Sequence, residues 1–377
     1  MSQFSITQLS LTDFRCYDWL RLDIENKPVV LIGPNGAGKT NILEALSMLM
    51  PGRGLRQVKL SELSRIGGRG GWAVASSLVT PKGLASVGTG YSLSRVGPSR
   101  ERRIIKINGL VLSSQNSLTE YISAIWLTPQ MDRLFSETIS GRRQFFDQLV
   151  CSWDPSHIKR ISEYTRAMRQ RLFLLKDQGS QDLSWISALE ETMVSRGAAI
   201  AAARVDLLNR LLPIVRDGIE LFPGASLMLD GDLELWLKNS PALGVEEQFR
   251  KILVTNRYKD GSSGRTQCGV HLTDMVVYHK EKNQEASFCS TGEQKALLIS
   301  IILAHAKARS ISIGAVPLLL FDEIAAHLDE ERREALFSHL ENLGGQTWFT
   351  GTEENIFQKI SKRAQLLRVA NGKISYV

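Results

Sequence analysis

Eight consecutive residues, Gly33-Pro34-Asn35-Gly36-Ala37-Gly38-Lys39-Thr40, satisfy the pattern G-x-x-x-x-G-K-[ST] at every position. Glycines let the main chain curl until its N–H groups face one centre, and a helix starting there adds its positive end. A nucleoside triphosphate fits that centre. Lys39 can reach the β- and γ-phosphates, and the Thr40 hydroxyl can ligate the accompanying Mg²⁺. Far downstream, Asp322-Glu323 closes the apolar run Val316–Phe321. A carboxylate at the C-terminal end of a parallel strand next to such a loop can hold Mg²⁺, and a second one beside it can polarise an attacking water. Asp322 suits the first role and Glu323 the second. A third stretch, Cys289-Ser290-Thr291-Gly292-Glu293-Gln294-Lys295, precedes a long helical pattern. Ser290 and Gly292 offer a hydroxyl and free N–H groups to an anion, although Ser290-x-x-Glu293 also spells an ordinary capping box.

Those residues need strands that end in loops and helices that begin there. Val29-Val30-Leu31-Ile32 is a continuous apolar run, typical of a strand buried on both faces, and it leads into the glycine loop. Asn41–Met50 has helical composition. Phe4 and Ile6 alternate with polar neighbours, Leu9 and Leu11 do so after a one-residue phase slip, and Leu20–Ile24 alternates cleanly. Arg103–Ile107 and Leu110–Leu112 flank Asn108-Gly109, residues that tolerate positive φ, which predicts a hairpin.

After Pro129 the period changes. Ile158, Ile161, Thr165, Met168, Leu172 and Leu175 form a seam along His157–Lys176. Gln178–Ser184 is a polar break. Ile186, Leu189, Met193, Ile200, Ala203 and Leu207 then mark a second long helix, interrupted along its seam by Arg196 and stopped by Pro213. A helical hairpin explains the pair better than a true coiled coil. Asn256–Gly264 reads as a flexible loop. The rest returns to α/β, with a helix over Gly292–Arg309 and strands at Val316–Phe321 and Thr347–Thr350. Gln365–Val369 and Lys373–Val377 follow, on either side of an Asn371-Gly372 turn. The expected fold is α/β, a mixed sheet with flanking helices in residues 1–125 and 289–377, split by a mainly helical insertion at 126–288.

At 377 residues, 43% apolar and 23% charged, the chain can bury a core without a disulfide or metal staple. Its net charge of +7 favours an anionic partner. Arg100, Arg102, Arg103 and Lys106 lie on the predicted hairpin. Arg142, Arg143, Lys159, Arg160, Arg166, Arg169 and Arg171 lie on the insertion, as a solvated face or as a track for phosphates. No base-reading module is present, so any DNA preference is for shape. Cys16, Cys151, Cys268 and Cys289 show no C-x-x-C pairing, which argues for reduced thiols rather than a zinc site or disulfide framework. Met1–Leu11 lacks the pattern of a signal peptide, and the runs Ala296–Ala304 and Ala315–Phe321 fall short of a bilayer span. A cytoplasmic protein is expected.

The glycine loop, the Ser290-Thr291-Gly292-Glu293-Gln294 signature, Asp322-Glu323 and the following His327-Leu328-Asp329 occur in the order of the ABC-type ATPases, which the sequence resembles. Within them it is similar to the RecF family of bacterial recombination and repair proteins over essentially its whole length. The similarity is carried by Leu11–Arg15, Gly33–Glu44 with Asn41 and Glu44, Pro129, Gly141–Asp147, Arg265–His271 and Ser290–Ala296. It implies an ABC-type P-loop ATPase head with ATP and Mg²⁺ as cofactors, Asn41 joining the loop's binding residues. It also implies an ATP-dependent homodimer in which Ser290 and Gly292 meet the γ-phosphate held by the partner copy. Double-stranded DNA and single-strand/duplex junctions, RecR and other recombination mediators are the partners implied, with loading of the RecA recombinase as the task. Gln130 falls near the place of the glutamine that touches Mg²⁺ or the attacking water in ABC proteins.

The chain also departs from the family pattern. Gly269-Val270-His271-Leu272-Thr273-Asp274 stands where Gly-Pro-His-Arg-Asp-Asp is common, and Thr350-Gly351-Thr352 where a switch histidine is usual, leaving Thr350 or Thr352 for that role. A transporter ATPase subunit would bring signature and P-loop much closer than Lys39 and Ser290. A chromosome-structuring head needs a far longer coiled coil. A scaffold that binds ATP without hydrolysing it has no need of Lys39, Thr40, Asp322 and Glu323 together.

Overall fold

The computed structural model describes residues 4–80, 82–92, 102–176 and 182–377. Arg100 and the start of the polar break, 178–181, lie outside them. The chain divides into two compact units, one of residues 1–132, 219–222 and 302–377, the other of residues 133–218 and 223–301.

The first unit is built on a six-stranded sheet whose strands run in the order Lys373–Tyr376, Gln365–Ala370, Val29–Ile32, Thr347–Gly351, Leu318–Phe321, Ala124–Leu127. All neighbours are parallel except the first pair. Val29–Ile32, Leu318–Phe321 and Thr347–Gly351 are buried at every residue, as continuous apolar runs require when both faces are covered. The acidic strand is one strand removed from the strand that leads into the P-loop. Thr347–Gly351 lies between them, because it pairs with both.

A second, antiparallel sheet runs Tyr17–Asp23, Ser5–Phe14, Trp72–Thr80, Gly83–Tyr91, Arg103–Ile107, Leu110–Leu112. The phase slip after Ile6 is a register shift between Ile6 and Gln8. The Asn108-Gly109 turn has both residues at positive φ, 50° and 82°. The inward residues of both sheets and of the helix Lys39–Ser47 share one apolar core, including Leu9, Val74, Leu43, Leu46, Leu320 and Trp348. Gln346 joins the sheets, donating to the Ile6 carbonyl at 3.0 Å and accepting from its N–H at 2.9 Å. Arg103 is not on a basic surface. It is buried, donating to the carbonyls of Met48, Met50 (3.0 Å) and Gly52 (2.8 Å) just past the P-loop helix. Burial lowers its pKa to about 10.

The second unit contains the helices Ile139–Cys151, His157–Lys176 and Leu183–Val215, with a three-stranded sheet of Ala225–Asp230, Asp274–His279 and Gln284–Glu285 that no periodicity had announced. The first long helix buries His157, Tyr164, Ala167, Arg171 and Leu175, so the expected seam is displaced by one position over most of its length. A buried arginine explains the misreading. Arg171 donates to Glu190 at 2.9 Å, Asp260 at 2.7 Å and the Leu253 carbonyl at 2.7 Å. The second helix runs through Pro213 to Val215, and Arg196 pairs with Glu163 at its surface while Gly197 takes the buried place. Asn256–Gly264 is not a loop. Arg257–Ser263 is helical, Gly264 ends it in a left-handed conformation, and Asp260 is pinned by Arg171 and by the Gln267 N–H.

Arg171→Met keeps the volume but strands the buried Asp260 without a cation, while Glu190 keeps Arg257. A loss of about 3–5 kcal/mol is expected in a urea titration. A loss below about 1 kcal/mol would show that water compensates that charge.

Thr291–Ile313 is long and apolar enough to cross a membrane by composition, which the two shorter runs did not suggest, but 72% of its most apolar window is buried within the protein. It is a core helix.

Candidate nucleotide site

The loop Gly33–Gly38 joins a fully buried strand to the helix Lys39–Ser47. Its shape depends on two glycines. A Cβ at Gly33 would lie 2.1 Å from the Val369 carbonyl oxygen, and Gly38 has φ +112° with no room beside Tyr17 and Cys16. Pro34, Asn35 and Gly36 are exposed while Ala37, Gly38 and Lys39 are buried. The helix begins with neither a side-chain cap nor an acidic residue in its first turn. The N–H groups of Lys39 and Thr40 are thereby left for an external anion, while that of Asn41 donates to the Gly38 carbonyl. Lys39 Nζ lies across the loop, donating to the Gly33 carbonyl at 2.7 Å and the Pro34 carbonyl at 3.0 Å. Burial lowers its pKa, opposed by the charges of Glu323 and Asp322.

Thr40 meets the acidic strand directly. Its hydroxyl lies 2.9 and 3.1 Å from the two Asp322 carboxylate oxygens. Burial pushes the Asp322 pKa up, hydrogen bonds from Thr350 and Thr40 pull it down, and the neighbouring Glu323 charge adds to the rise. Glu323 has φ +55°, a left-handed conformation that a residue with a side chain adopts at a cost. Its N–H donates to Thr350 Oγ1 at 2.8 Å, and the same hydroxyl donates to Asp322 Oδ1 at 2.8 Å. Thr350 is fully buried and so committed to the two acidic residues, whereas Thr352 is exposed. The intervening strand therefore contributes the residue that ties Asp322 to Glu323. Gln130 is exposed in the short turn after Ala124–Leu127, the strand next to Leu318–Phe321, and so stands at the same edge of the sheet.

Sequence reasoning missed the residues that brace the loop. Glu44, buried on the P-loop helix, takes a bidentate pair from Arg15 at 2.8 and 2.7 Å and a contact from Arg56 at 3.3 Å. Arg56 also reaches the Asn41 Oδ1 at 3.3 Å, Asn41 reaches Cys16 Sγ at 3.2 Å, and Tyr17 donates to the Gly38 carbonyl at 3.1 Å. Arg15 and Glu44 lay within the segments carrying the family resemblance. Arg56 had no sequence signal.

In the second unit, Ser290 and Gly292 are exposed at the start of Thr291–Ile313, and a Cβ on Gly292 would meet nothing within 4 Å. The capping box is real. The Ser290 N–H and hydroxyl each lie 2.9 Å from Glu293 Oε2, and Lys282 pairs with the other oxygen. Lys282 and these bonds hold the Glu293 pKa down to about 2. The other family-specific stretches serve the interior. Arg142 makes a bidentate pair with Asp274, Arg204 bridges Asp147 and Glu234, and His271 hydrogen-bonds to Tyr164 at 2.9 Å. Thr273, one of the departures, donates its hydroxyl to Glu234.

A P-loop, a tied Asp-Glu strand end and a capped serine helix on this sheet order define an ABC-type ATPase head. The model of the RecF/RecN/SMC N terminal domain family matches residues 5–375. The chain is 44% identical over 372 residues to the DNA replication and repair protein RecF of Rhizobium etli, covering 98% of each. It is 46% identical over 376 residues to that of Mesorhizobium japonicum, covering 99% and 98%. The chain belongs to the RecF family. Its fold matches the recombination mediator protein RecF-ATP in the RecFOR pathway with a TM-score of 0.86 at 19% identity, covering 100% and 98%. It matches the Smc head domain of Pyrococcus furiosus at 0.54 and 14%, covering 99% and 96%.

Proposed function

We propose that this protein is an ATP-dependent DNA-binding protein of recombinational repair and replication-fork maintenance. It dimerises on ATP at duplex DNA or at single-strand/duplex gap junctions, hydrolyses ATP slowly under DNA stimulation, and helps load the RecA recombinase, in the cytoplasm and with RecR as a partner. The name shared by the curated relatives supports the pathway. The observation that carries the chemistry is the chain of contacts Thr40–Asp322–Thr350–Glu323 at one edge of the parallel sheet.

In this reading the loop amides and Lys39 hold the β- and γ-phosphates. The Thr40 hydroxyl and Asp322 carboxylate, already converging, are the residues that would hold Mg²⁺ accompanying the nucleotide. Held by these two residues, Mg²⁺ would supply positive charge against that developing on the phosphates. Glu323 orients and polarises the attacking water, with Gln130 at the same edge to assist. Ser290 and Gly292 of a second copy close the site over the γ-phosphate.

Sedimentation velocity with and without ATP and duplex DNA tests the reading. The wild type is expected to shift from monomer to dimer with ATP and onto DNA. Lys39→Ala, which removes the fixed charge on the phosphates, is expected to stay monomeric and to lose ATP affinity at least tenfold. Unchanged nucleotide affinity in Lys39→Ala would remove the loop from the chemistry.

Thr350 offers a subtler check. Thr350→Val preserves shape but deletes both bonds to the acidic pair. ATP affinity is expected to hold within about threefold while turnover falls on the order of 10- to 100-fold, the scale of misplacing a reacting group by about 1 Å. Thr350→Ser should restore most of the rate. Equal rates for valine and threonine would show that Glu323 is positioned by other means.

A further inference from the structure

The donors that Ser290 would offer to a second copy's γ-phosphate are already engaged. Its N–H and its hydroxyl converge on one carboxylate oxygen, Glu293 Oε2, at 2.9 Å each, and the Glu293 N–H approaches Ser290 Oγ at 3.4 Å. A carboxylate oxygen and a terminal phosphate oxygen are both anionic and accept the same charge-assisted hydrogen bonds. Glu293 therefore sets an anion of the chain's own where the incoming one would bind.

Capping the helix does not by itself require this. The turn before Thr291–Ile313 is fixed by the next residue. Gln294 donates through Nε2 to the Cys289 carbonyl at 2.9 Å and accepts at Oε1 from the Ser136 hydroxyl at 3.0 Å. Its N–H donates to the Ser290 carbonyl at 2.9 Å. Gln294 is buried, whereas Glu293 is only half-buried. A glutamine at position 293 would complete a capping box just as well. What glutamate adds is charge.

That charge has a second place to rest. Lys282 stands in the turn between Asp274–His279 and Gln284–Glu285, closed by the Asn283 N–H on the Lys280 carbonyl at 3.2 Å, and it pairs with the other oxygen of Glu293. Lys282 makes no other ion pair among the described residues. The Glu293 side chain can thus give up Ser290 and keep its cation. Lys282, with the bonds from Ser290, holds the Glu293 pKa down to about 2. At neutral pH the carboxylate is therefore not released by protonation, and a competing anion has to displace it.

We propose that Glu293 gates the shared nucleotide site, holding Ser290 until the γ-phosphate on a second copy displaces it onto Lys282. The two residues thereby set how readily ATP pairs two chains. A nucleoside diphosphate has no γ-phosphate with which to displace the carboxylate, so the gate favours pairing on the triphosphate. The proposal rests on the shared-site reading above and adds to it the residues that decide when that site forms.

The test is sedimentation velocity of the full chain over a dilution series, saturated with Mg²⁺ and either the non-hydrolysable β,γ-imido analogue of ATP or ADP. Glu293→Gln is expected to lower the dimer dissociation constant with the analogue about tenfold, roughly threefold for each of two composite sites, because the competing bonds lose their charge. The monomer's affinity for the analogue should not change, since the P-loop and the acidic strand are untouched. Lys282→Gln should raise the dimer constant about tenfold in the wild type and no more than about threefold in the Glu293→Gln background, a coupling that residues acting separately do not show. With ADP every variant should stay monomeric. A dimer constant for Glu293→Gln at or above that of the wild type would overturn the proposal and leave Glu293 as a helix cap. So would an equal effect of Lys282→Gln in both backgrounds, or pairing of Glu293→Gln on ADP as tightly as on the analogue. A wild type that binds the analogue yet stays monomeric would instead defeat the shared-site reading, and the gate with it.

Discussion

Glu323→Gln is expected to bind ATP as the wild type does and to hydrolyse it about 100- to 10,000-fold more slowly, the range that a positioned general base contributes. Glutamine fills the same space and still accepts one hydrogen bond, but it cannot take a proton from water. The main-chain setting should survive, since the N–H that binds Thr350 belongs to the backbone. The left-handed φ of +55° is held by that bond and by the strand end, not by the carboxylate. With release blocked and assembly intact, the proposed ATP-dependent dimer should accumulate and appear as a stable species in sedimentation. Turnover at the wild-type rate would remove Glu323 from the reaction. A slow variant that stays monomeric with ATP would instead mean that the carboxylate serves assembly.

Ser290→Arg carries the second large effect. Ser290 lies in the second unit, exposed at a helix start, and belongs to neither the P-loop nor the acidic strand. ATP binding by the monomer should therefore be kept, while bulk and charge enter where a partner's γ-phosphate is expected to dock. Dimerisation and hydrolysis should both fall to background, a loss of at least about 100-fold in rate if the signature contributes as other preorganised donors do. Mixing with Lys39→Ala refines the test. In the mixed dimer one composite site has an intact loop and an intact signature, and the other has both defects. Activity should partly recover. A mixture as inactive as its components would count against sites shared between copies, and normal ATP-driven dimers of Ser290→Arg would exclude them. The capping box makes the control simple. Ser290→Asp keeps a helix cap, so an equally dead aspartate variant would show that charge at the phosphate, rather than loss of the cap, is responsible.

The sequence was most readable where backbone geometry dictates residue type. The P-loop needs its glycines, the strand Val29–Ile32 its unbroken apolar run, and the Asn108-Gly109 turn its positive φ, so each could be placed before any coordinates. Legibility failed where polar residues are buried in networks. Arg171 and Arg103 look like surface cations in a string of letters, yet both are internal, Arg171 paired with carboxylates and Arg103 hydrogen-bonded to carbonyls remote in sequence. The same Asp260 that receives Arg171 also orders Arg257–Ser263, whose glycines and serines argue locally for a loop. At the site, Asp322 and Glu323 were visible as a pair, but the residue tying them was not. The sequence offers Thr350 as a phosphate sensor, whereas the strand order sets its hydroxyl between the Glu323 N–H and the Asp322 carboxylate.

The strand order also sets a sequence of events for a chain leaving the ribosome. Val29–Ile32, which carries the P-loop, has as its two neighbours Thr347–Gly351 and Gln365–Ala370, and Ile6 is pinned by Gln346, 340 positions away. During nearly all of synthesis the phosphate-binding strand therefore has two open edges, and the antiparallel sheet lacks the residue that fastens it to its neighbour. The residues of the helical unit are all synthesised before the first unit is complete. A nucleotide that engages the loop and the acidic strand together, as proposed above, would stabilise only a chain synthesised past Thr347. ATP would then discriminate molecules that reach Thr347 from those that do not, and any fragment ending before Thr347 emerges with the apolar strand Val29–Ile32 unpaired on both edges.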